Sequence, residues 1–124
     1  MDVALVAQDR DFEEADAALA DVRRAAVVAG IDAPEIIAAT AAAYGYTVGD
    51  LQGPSRKQPL ARCRQVAMYL AKQLTPRSLP EIGKKFGGRD HTTVMHAVKQ
   101  IEKLCEADRS LADDVAALKR RLSS

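Results

Sequence analysis

Apolar residues recur at spacings of three and four along most of this 124-residue chain, which is the period of a helix with one buried face. The clearest stretch follows Asp90, where six apolar positions share a face: Val94, Ala97, Val98, Ile101, Leu104 and Cys105. Four polar or basic positions share the opposite face: Thr92, His96, Lys99 and Lys103. Asp90 is the expected N-cap, with its carboxylate accepting the N–H of Thr92 or Thr93.

A short helix is predicted immediately before this one. Ser78 and Glu81 have the spacing of a capping box, and the helix is expected to run to about Phe86. Gly87 and Gly88 then supply a turn, because glycine adopts positive φ without a Cβ penalty. Short helix, tight turn and longer helix make a helix-turn-helix over about 78–105, a motif whose second helix commonly lies in a DNA major groove.

Further helices follow from the same signals, at 32–44, 47–51, 60–74 and 111–122. The fold predicted for the chain is therefore all-α, with about six helices and an additional amphipathic helix at the N-terminus. Two parts are expected: an acidic helical extension over 1–31 and a DNA-binding domain over 32–124.

The N-terminal extension carries apolar residues in an a/d heptad spacing: Phe12, Ala15, Leu19, Val22, Ala26 and Ala29. Such a helix can pack on its own domain, associate with a second copy, or dock to a partner. The alanine-rich seam is too small to argue strongly for a coiled coil.

The charge is divided unevenly along the chain. Residues 1–55 hold 3 basic and 10 acidic side chains, whereas residues 56–103 hold 11 basic and 3 acidic ones. A basic block centred on a helix-turn-helix indicates phosphate binding, which the whole-chain net charge of +1 conceals.

The start of the helix at 60–74 offers side chains and free N–H groups that can hold a phosphate. Arg62, Arg64, Gln65 and Lys72 are accordingly predicted to contact the DNA backbone, although a solvated helix face would look the same. Arg89 either pairs with phosphate or braces the turn.

Several other kinds of chemistry are not predicted. Cys63 and Cys105 form no Cys-x-x-Cys motif and are expected to be reduced core thiols, and His91 and His96 lack a carboxylate at ligand spacing. No nucleophile with a base and no phosphate-binding loop occur, so we expect no enzyme, no cofactor and no nucleotide. No membrane-spanning run or signal peptide is seen, which predicts a cytoplasmic protein at the nucleoid.

Four stretches of this core carry a more specific resemblance: Arg64-Gln65, Leu70-Ala71-Lys72, Ser78 to Gly83 and Phe86 to Val94. They resemble the carboxy-terminal DNA-binding domain of the bacterial replication initiator DnaA family, whose signature is the run Gly88 to Val94. The resemblance extends from about Pro34 to the C-terminus and leaves the first thirty or so residues outside.

The resemblance implies a set of DNA contacts. It places Arg56, from the loop before the helix at 60–74, in the minor groove. It implies base contacts in the major groove from the tip of the second motif helix: Asp90, His91, Thr92 and Thr93. With the residues predicted above, the expected backbone contacts are Lys57, Arg62, Arg64, Gln65, Lys72, Leu79, Pro80, Arg89 and Lys99. The loop holds fewer basic residues than in many relatives, and Cys63 stands where proline is common.

The resulting hypothesis is sequence-specific binding of double-stranded DNA at DnaA-box-like sites, in replication initiation or its regulation. Another replication protein or a second copy of the chain is the partner expected for the N-terminal helix. The opening Met and an N-terminal segment unlike the end of an ATPase lid favour a small standalone protein over an excised domain. The alternative is a protein-interaction or transcription-regulator module that uses the acidic N-terminal helix for docking or dimerisation.

Overall fold

The computed structural model describes residues 20–123 except residue 22, and within this part of the chain all regular structure is helical. Helical residues at 23–28 precede six helices, which we label α1 to α6. They are α1 Ala33–Tyr44, α2 Val48–Gln52, α3 Leu60–Leu74, α4 Leu79–Lys85, α5 His91–Ala107 and α6 Arg109–Ser123. The predicted all-α fold is confirmed, and the observed bounds of α3 are the predicted ones.

Helix α3 lies at the centre of the fold and contacts each of the other five helices. Its buried face includes Cys63, Val66, Ala67, Leu70 and Leu74, none of which is accessible to solvent. Helix α6 closes the core with four buried apolar side chains, as predicted: Leu111, Val115, Leu118 and Leu122.

Capping boxes begin three of the helices, so local sequence determines where these helices start. Ser78 and Glu81 form the predicted box of α4, with the Glu81 N–H donating to Ser78 Oγ at 3.3 Å. Asp32 and Glu35 form the box of α1, and Thr47 and Asp50 form that of α2.

The turn between α4 and α5 is closed by direct backbone contact. Gly87 and Gly88 both have φ of +78°, as the sequence predicted. The Arg89 N–H donates to the Gly83 carbonyl oxygen at 2.9 Å. A Cβ on Gly83 would lie 2.0 Å from the Arg89 carbonyl oxygen, so only glycine allows the two helices this close an approach.

The predicted N-terminal helix is described only in part, because Phe12, Ala15, Leu19 and Val22 lie outside the described residues. Ala26 is fully buried in the common core, and Arg23 Nε donates to the Gln73 carbonyl oxygen at 2.7 Å. Ala29 is exposed. At Ala26, therefore, the extension packs on its own domain.

Two details of α5 differ from the prediction. Val98, Leu104 and Cys105 pack against the core but are only half-buried, whereas Val94, Ala97 and Ile101 are buried. Asp90 is the N-cap, but its carboxylate accepts the hydroxyl of Thr92 at 2.6 Å rather than a backbone N–H.

Candidate nucleic-acid interface

A cleft of about 860 Å³ separates the loop at 53–59 from the N-terminal end of α5, and the start of α3 forms its floor. The chain folds this way because Gly53 ends α2 in extended backbone, and the loop then leads into α3. Six predicted DNA-contacting residues line this cleft: Arg56, Arg64, Gln65, Arg89, Thr92 and Thr93.

The exposed tip of α5 stands at one side of the cleft. Asp90, His91, Thr92 and Thr93 are all exposed, while Val94 directly behind them is fully buried and anchors the tip. The hydrogen bond from the Thr92 hydroxyl lowers the pKa of Asp90, and His91 Nδ1 lies 3.0 Å from Asp90 Oδ1. The tip therefore presents hydroxyl, imidazole and carboxylate groups, which can form hydrogen bonds with base edges.

Three arginines, Arg56, Arg64 and Arg89, line the cleft together. No Asp or Glu occurs among the described residues that line it. Partial burial lowers the pKa of Arg89, and the nearby positive charge of Arg56 lowers it further. Burial also lowers the pKa of Arg64, and the positive charge of Arg89 lowers it further. A group of like charges of this kind favours an anion in the cleft.

Arg64 has a structural role, and its predicted phosphate contact is not supported. The residue is 5% exposed, and its guanidinium donates to four carbonyl oxygens of the preceding segment. The acceptors are the carbonyls of Leu51 and Ser55, each at 2.7 Å, Asp50 at 3.1 Å and Gly53 at 3.2 Å. The side chain fixes the path of the loop instead of reaching outward.

Arg89 braces the turn, which is the second of the two roles predicted for it. Its guanidinium donates to the carbonyl oxygens of Phe86 and Gly53. Beside this contact, Gln52 Nε2 donates to the Lys85 carbonyl oxygen at 3.1 Å. The end of α2 is therefore bonded to both sides of the helix-turn-helix turn.

The remaining predicted contact residues lie outside the cleft. Lys57, Lys72, Pro80 and Lys99 are exposed, and Arg62 and Leu79 are half-buried. Leu79 packs against the core, so it could meet DNA only through its backbone or the edge of its side chain. Lys57 belongs to the loop and the others to α3, α4 and α5, and the DNA contacts of all six stay predictions.

The structure adds cleft residues that were not predicted as contacts, including Gln52, Met68 and His96. His96 follows Thr92 by four residues, and that spacing had already placed it on the polar face of α5. The placement of Gln52 and Met68 has no local sequence signal, because it depends on how three helices pack together.

Two negative findings apply to the part of the chain that the structure describes. No described group of three or more His, Cys, Asp or Glu side chains could hold a metal ion. Likewise, none of the described helices has the length and hydrophobicity that a membrane span requires.

Burial raises the pKa of the Cys63 thiol to about 11, which keeps it protonated and unreactive at neutral pH.

Comparison with known proteins accounts for this arrangement. A family model described as the bacterial dnaA protein helix-turn-helix matches residues 33–101, which run from the start of α1 into α5. The chain belongs to the DnaA family. The match contains the whole helix-turn-helix turn and every predicted contact residue of α3 and α4.

Relatives of the family match over most of the chain. It is 50% identical over 121 residues to the chromosomal replication initiator protein DnaA of Cereibacter sphaeroides, and equally so to that of Ruegeria pomeroyi. Each match covers 98% of this chain and 26% of the relative. The DnaA of Ehrlichia ruminantium is 58% identical over 79 residues, covering 64% of this chain and 17% of the relative. The chain thus spans about a quarter or less of the length of these relatives.

These matches correct one prediction. The resemblance was expected to begin at about Pro34, but relatives that match 98% of the chain also match residues before it. The argument for a standalone protein that rested on an unrelated N-terminal segment therefore loses its basis. The division of the chain at residue 31 stays a prediction.

Proposed function

We propose that this chain binds double-stranded DNA at DnaA-box-like sites, with the tip of α5 in the major groove and Arg56 in the adjacent minor groove. Binding of this kind would serve replication initiation or its regulation and would place the chain at the nucleoid. The observation that carries the proposal is the cleft, in which the exposed tip of α5 and the exposed Arg56 stand beside Arg64 and Arg89, and no carboxylate occurs among the described residues that line it.

Each side of the cleft suits a different part of a duplex. An α-helix fits the major groove, where every base pair presents a distinct pattern of donors and acceptors. The hydroxyls of Thr92 and Thr93, the His91 imidazole and the Asp90 carboxylate can meet such a pattern. An arginine on an extended loop fits the narrower minor groove, whose potential is negative.

Affinity and specificity are expected to come from different residues. Lys57, Lys72 and Lys99 are exposed cations and would attract phosphate whatever the sequence. The tip of α5 and Arg56 would distinguish one sequence from another.

The first test is fluorescence anisotropy with a duplex bearing a DnaA box and a shuffled duplex, each at low and near-physiological salt. A preference for the box that persists at the higher salt is the expected result. Weak and equal binding that disappears with salt would indicate phosphate attraction alone, and the alternative of an interaction module would then be favoured.

The base contacts are tested with His91→Ala, measured on both duplexes. Loss of a base contact should weaken box binding about 5- to 150-fold and leave binding to the shuffled duplex nearly unchanged. Ser110→Ala is the matched control, because it removes an exposed polar side chain on α6, outside the cleft. An equal loss on both duplexes would exclude a base contact for His91.

A further inference from the structure

The loop that carries Arg56 and the tip of α5 are joined through the carbonyl oxygen of Gly53. This oxygen accepts one hydrogen bond from Arg64 Nη2 and another from Arg89 Nη2. Arg64 belongs to α3, whereas Arg89 immediately precedes Asp90, the N-cap of α5. One backbone atom thus connects the two elements that are proposed to enter the two grooves.

This connection restricts where Arg56 can lie. Arg56 follows Gly53 by three positions, and three residues of extended chain span at most about 11 Å. Arg64 also holds the Ser55 carbonyl at 2.7 Å, and this carbonyl belongs to the peptide unit that leads into Arg56. The backbone at Arg56 is therefore fixed relative to α3, while the side chain stays exposed.

The end of α2 also lies close to the turn between α4 and α5. Gln52 Nε2 donates to the Lys85 carbonyl, and a Cβ on Gly87 would lie 2.2 Å from the Gln52 carbonyl oxygen. Arg89 also donates to the Phe86 carbonyl, so its guanidinium spans from the turn to the loop. The loop cannot shift along α5 without breaking these bonds.

We propose that Arg89 is a positioning residue that sets the spacing between Arg56 and the tip of α5, so that both grooves of one duplex are engaged together. The proposal rests on the proposed function and assigns Arg89 a part in specificity without any contact to a base. Loss of Arg89 should consequently reduce discrimination between base pairs in the minor groove, although Arg89 itself does not enter that groove.

A base analogue can report the minor-groove contact alone. Replacing adenine by 2,6-diaminopurine adds an amino group to the minor groove and leaves the major-groove pattern of the pair unchanged. Such a group occupies the edge on which A·T and G·C pairs differ in that groove. The ratio of the Kd for a substituted box to the Kd for the ordinary box therefore measures what Arg56 contributes.

The wild-type chain should show a ratio of roughly tenfold or more, and Arg56→Ala should bring it close to one. Arg89→Met should also reduce the ratio to within about threefold of one. The double variant Arg56→Ala/Arg89→Met should bind within about twofold of Arg56→Ala, because Arg89 acts through Arg56. The box preference due to His91 should persist in Arg89→Met.

Arg77→Met is the matched control, since Arg77 is also a partly exposed arginine but bonds to Asp32 and Glu81 outside the cleft. It should lower stability and leave the ratio at the wild-type value. If Arg89→Met proves unfolded by circular dichroism, Gln52→Ala takes its place, because it removes a bond of the same connection, and it should lower the ratio at least twofold.

The outcomes separate the two proposals. A wild-type chain that binds box and shuffled duplexes equally would overturn the proposed function and with it the role of Arg89. The positioning role alone would be overturned by a second result. In it the wild-type chain prefers the box and shows the expected ratio of Kd values for substituted and ordinary boxes, but a folded Arg89→Met or Gln52→Ala variant keeps that full ratio. Full additivity of Arg56→Ala and Arg89→Met would overturn it as well.

Discussion

Arg77 donates two hydrogen bonds to the carboxylate of Asp32, one from Nε at 3.1 Å and one from Nη2 at 2.5 Å. Asp32 is the N-cap of α1, and Arg77 also bonds Glu81 in the capping box of α4. One guanidinium therefore joins the starts of two helices that are far apart in the sequence. This ion pair stabilises the position of α4, and through it the helix-turn-helix.

Asp32→Asn should lower the free energy of unfolding by about 1 kcal/mol. Asparagine keeps a good N-cap but loses the charge of the pair, and both side chains are about a third exposed, which limits the loss. Urea denaturation measures the change. Asp21→Asn is the control, since its pair with Arg24 is 75% exposed on both sides, and it should alter stability by less than about 0.5 kcal/mol.

The same pair predicts how stability changes in acid. The hydrogen bonds from Arg77 are the main cause that lowers the pKa of Asp32 from 3.8 to about 2. The unfolded chain therefore binds more protons between these values, and the stabilisation present above pH 4 is lost as the pH falls towards 2. Thermal unfolding between pH 5 and 2 should show a smaller decrease in Tm for Asp32→Asn than for wild type. Parallel curves would contradict this origin of the acid sensitivity.

Arg64→Met should destabilise the fold by about 2–3 kcal/mol. The substitution leaves the carbonyl oxygens of Asp50, Leu51 and Ser55 without their charged donor, in surroundings where water replaces it poorly. The Gly53 carbonyl keeps its hydrogen bond from Arg89. Chemical denaturation gives the magnitude. A variant as stable as wild type would show that the carbonyls find other donors.

Lys72→Met offers a contrast on the same helix, because Lys72 is exposed. Its stability should stay within about 0.5 kcal/mol of wild type. Its DNA affinity should fall by a similar factor for box and shuffled duplexes, and the slope of log K against log salt should decrease in magnitude by about one. An unchanged slope would remove Lys72 from the phosphate contacts.

Gly83→Ala should cost about 2 kcal/mol or more, because the new Cβ would lie 2.0 Å from the Arg89 carbonyl oxygen and would push α4 away from the start of α5. Gly49→Ala is the matched control. Its Cβ would approach only Thr47 Oγ1, at 3.8 Å, and alanine in the exposed helix α2 should be neutral or stabilising by up to about 1 kcal/mol. Equal effects of the two substitutions on Tm would contradict the close contact.

The parts of this fold that sequence predicts well are those specified by neighbouring residues. Ser78 and Glu81 mark the start of α4, and Gly87 and Gly88 mark the turn, because capping and positive φ are local properties. The role of Arg64 could not be predicted in this way. An arginine in the first turns of a helix has the same sequence signature whether it faces a phosphate or the carbonyls of a loop that returns to it.

The bond between Arg89 and Gly53 and the hydrogen bonding of Asp90 show two further limits. Arg89 and Gly53 lie 36 residues apart, and their contact depends on how α2 and the turn meet in three dimensions. At Asp90, a hydroxyl and a backbone N–H two residues away compete for one carboxylate, and sequence gives no preference between them. Sequence thus predicted which residues line the cleft better than it predicted the hydrogen-bond partners of those residues.

The contact of residues 23–28 with the core has a mechanical consequence. Ala26 is buried, Arg23 is bound to the end of α3, and the turn into α1 is closed by bonds from Gly30 to Val27 and from Ile31 to Ala26. These contacts hold the turn against α3 and the core. A duplex held in the cleft would therefore set the direction in which the helical residues 23–28 point relative to the axis of the DNA.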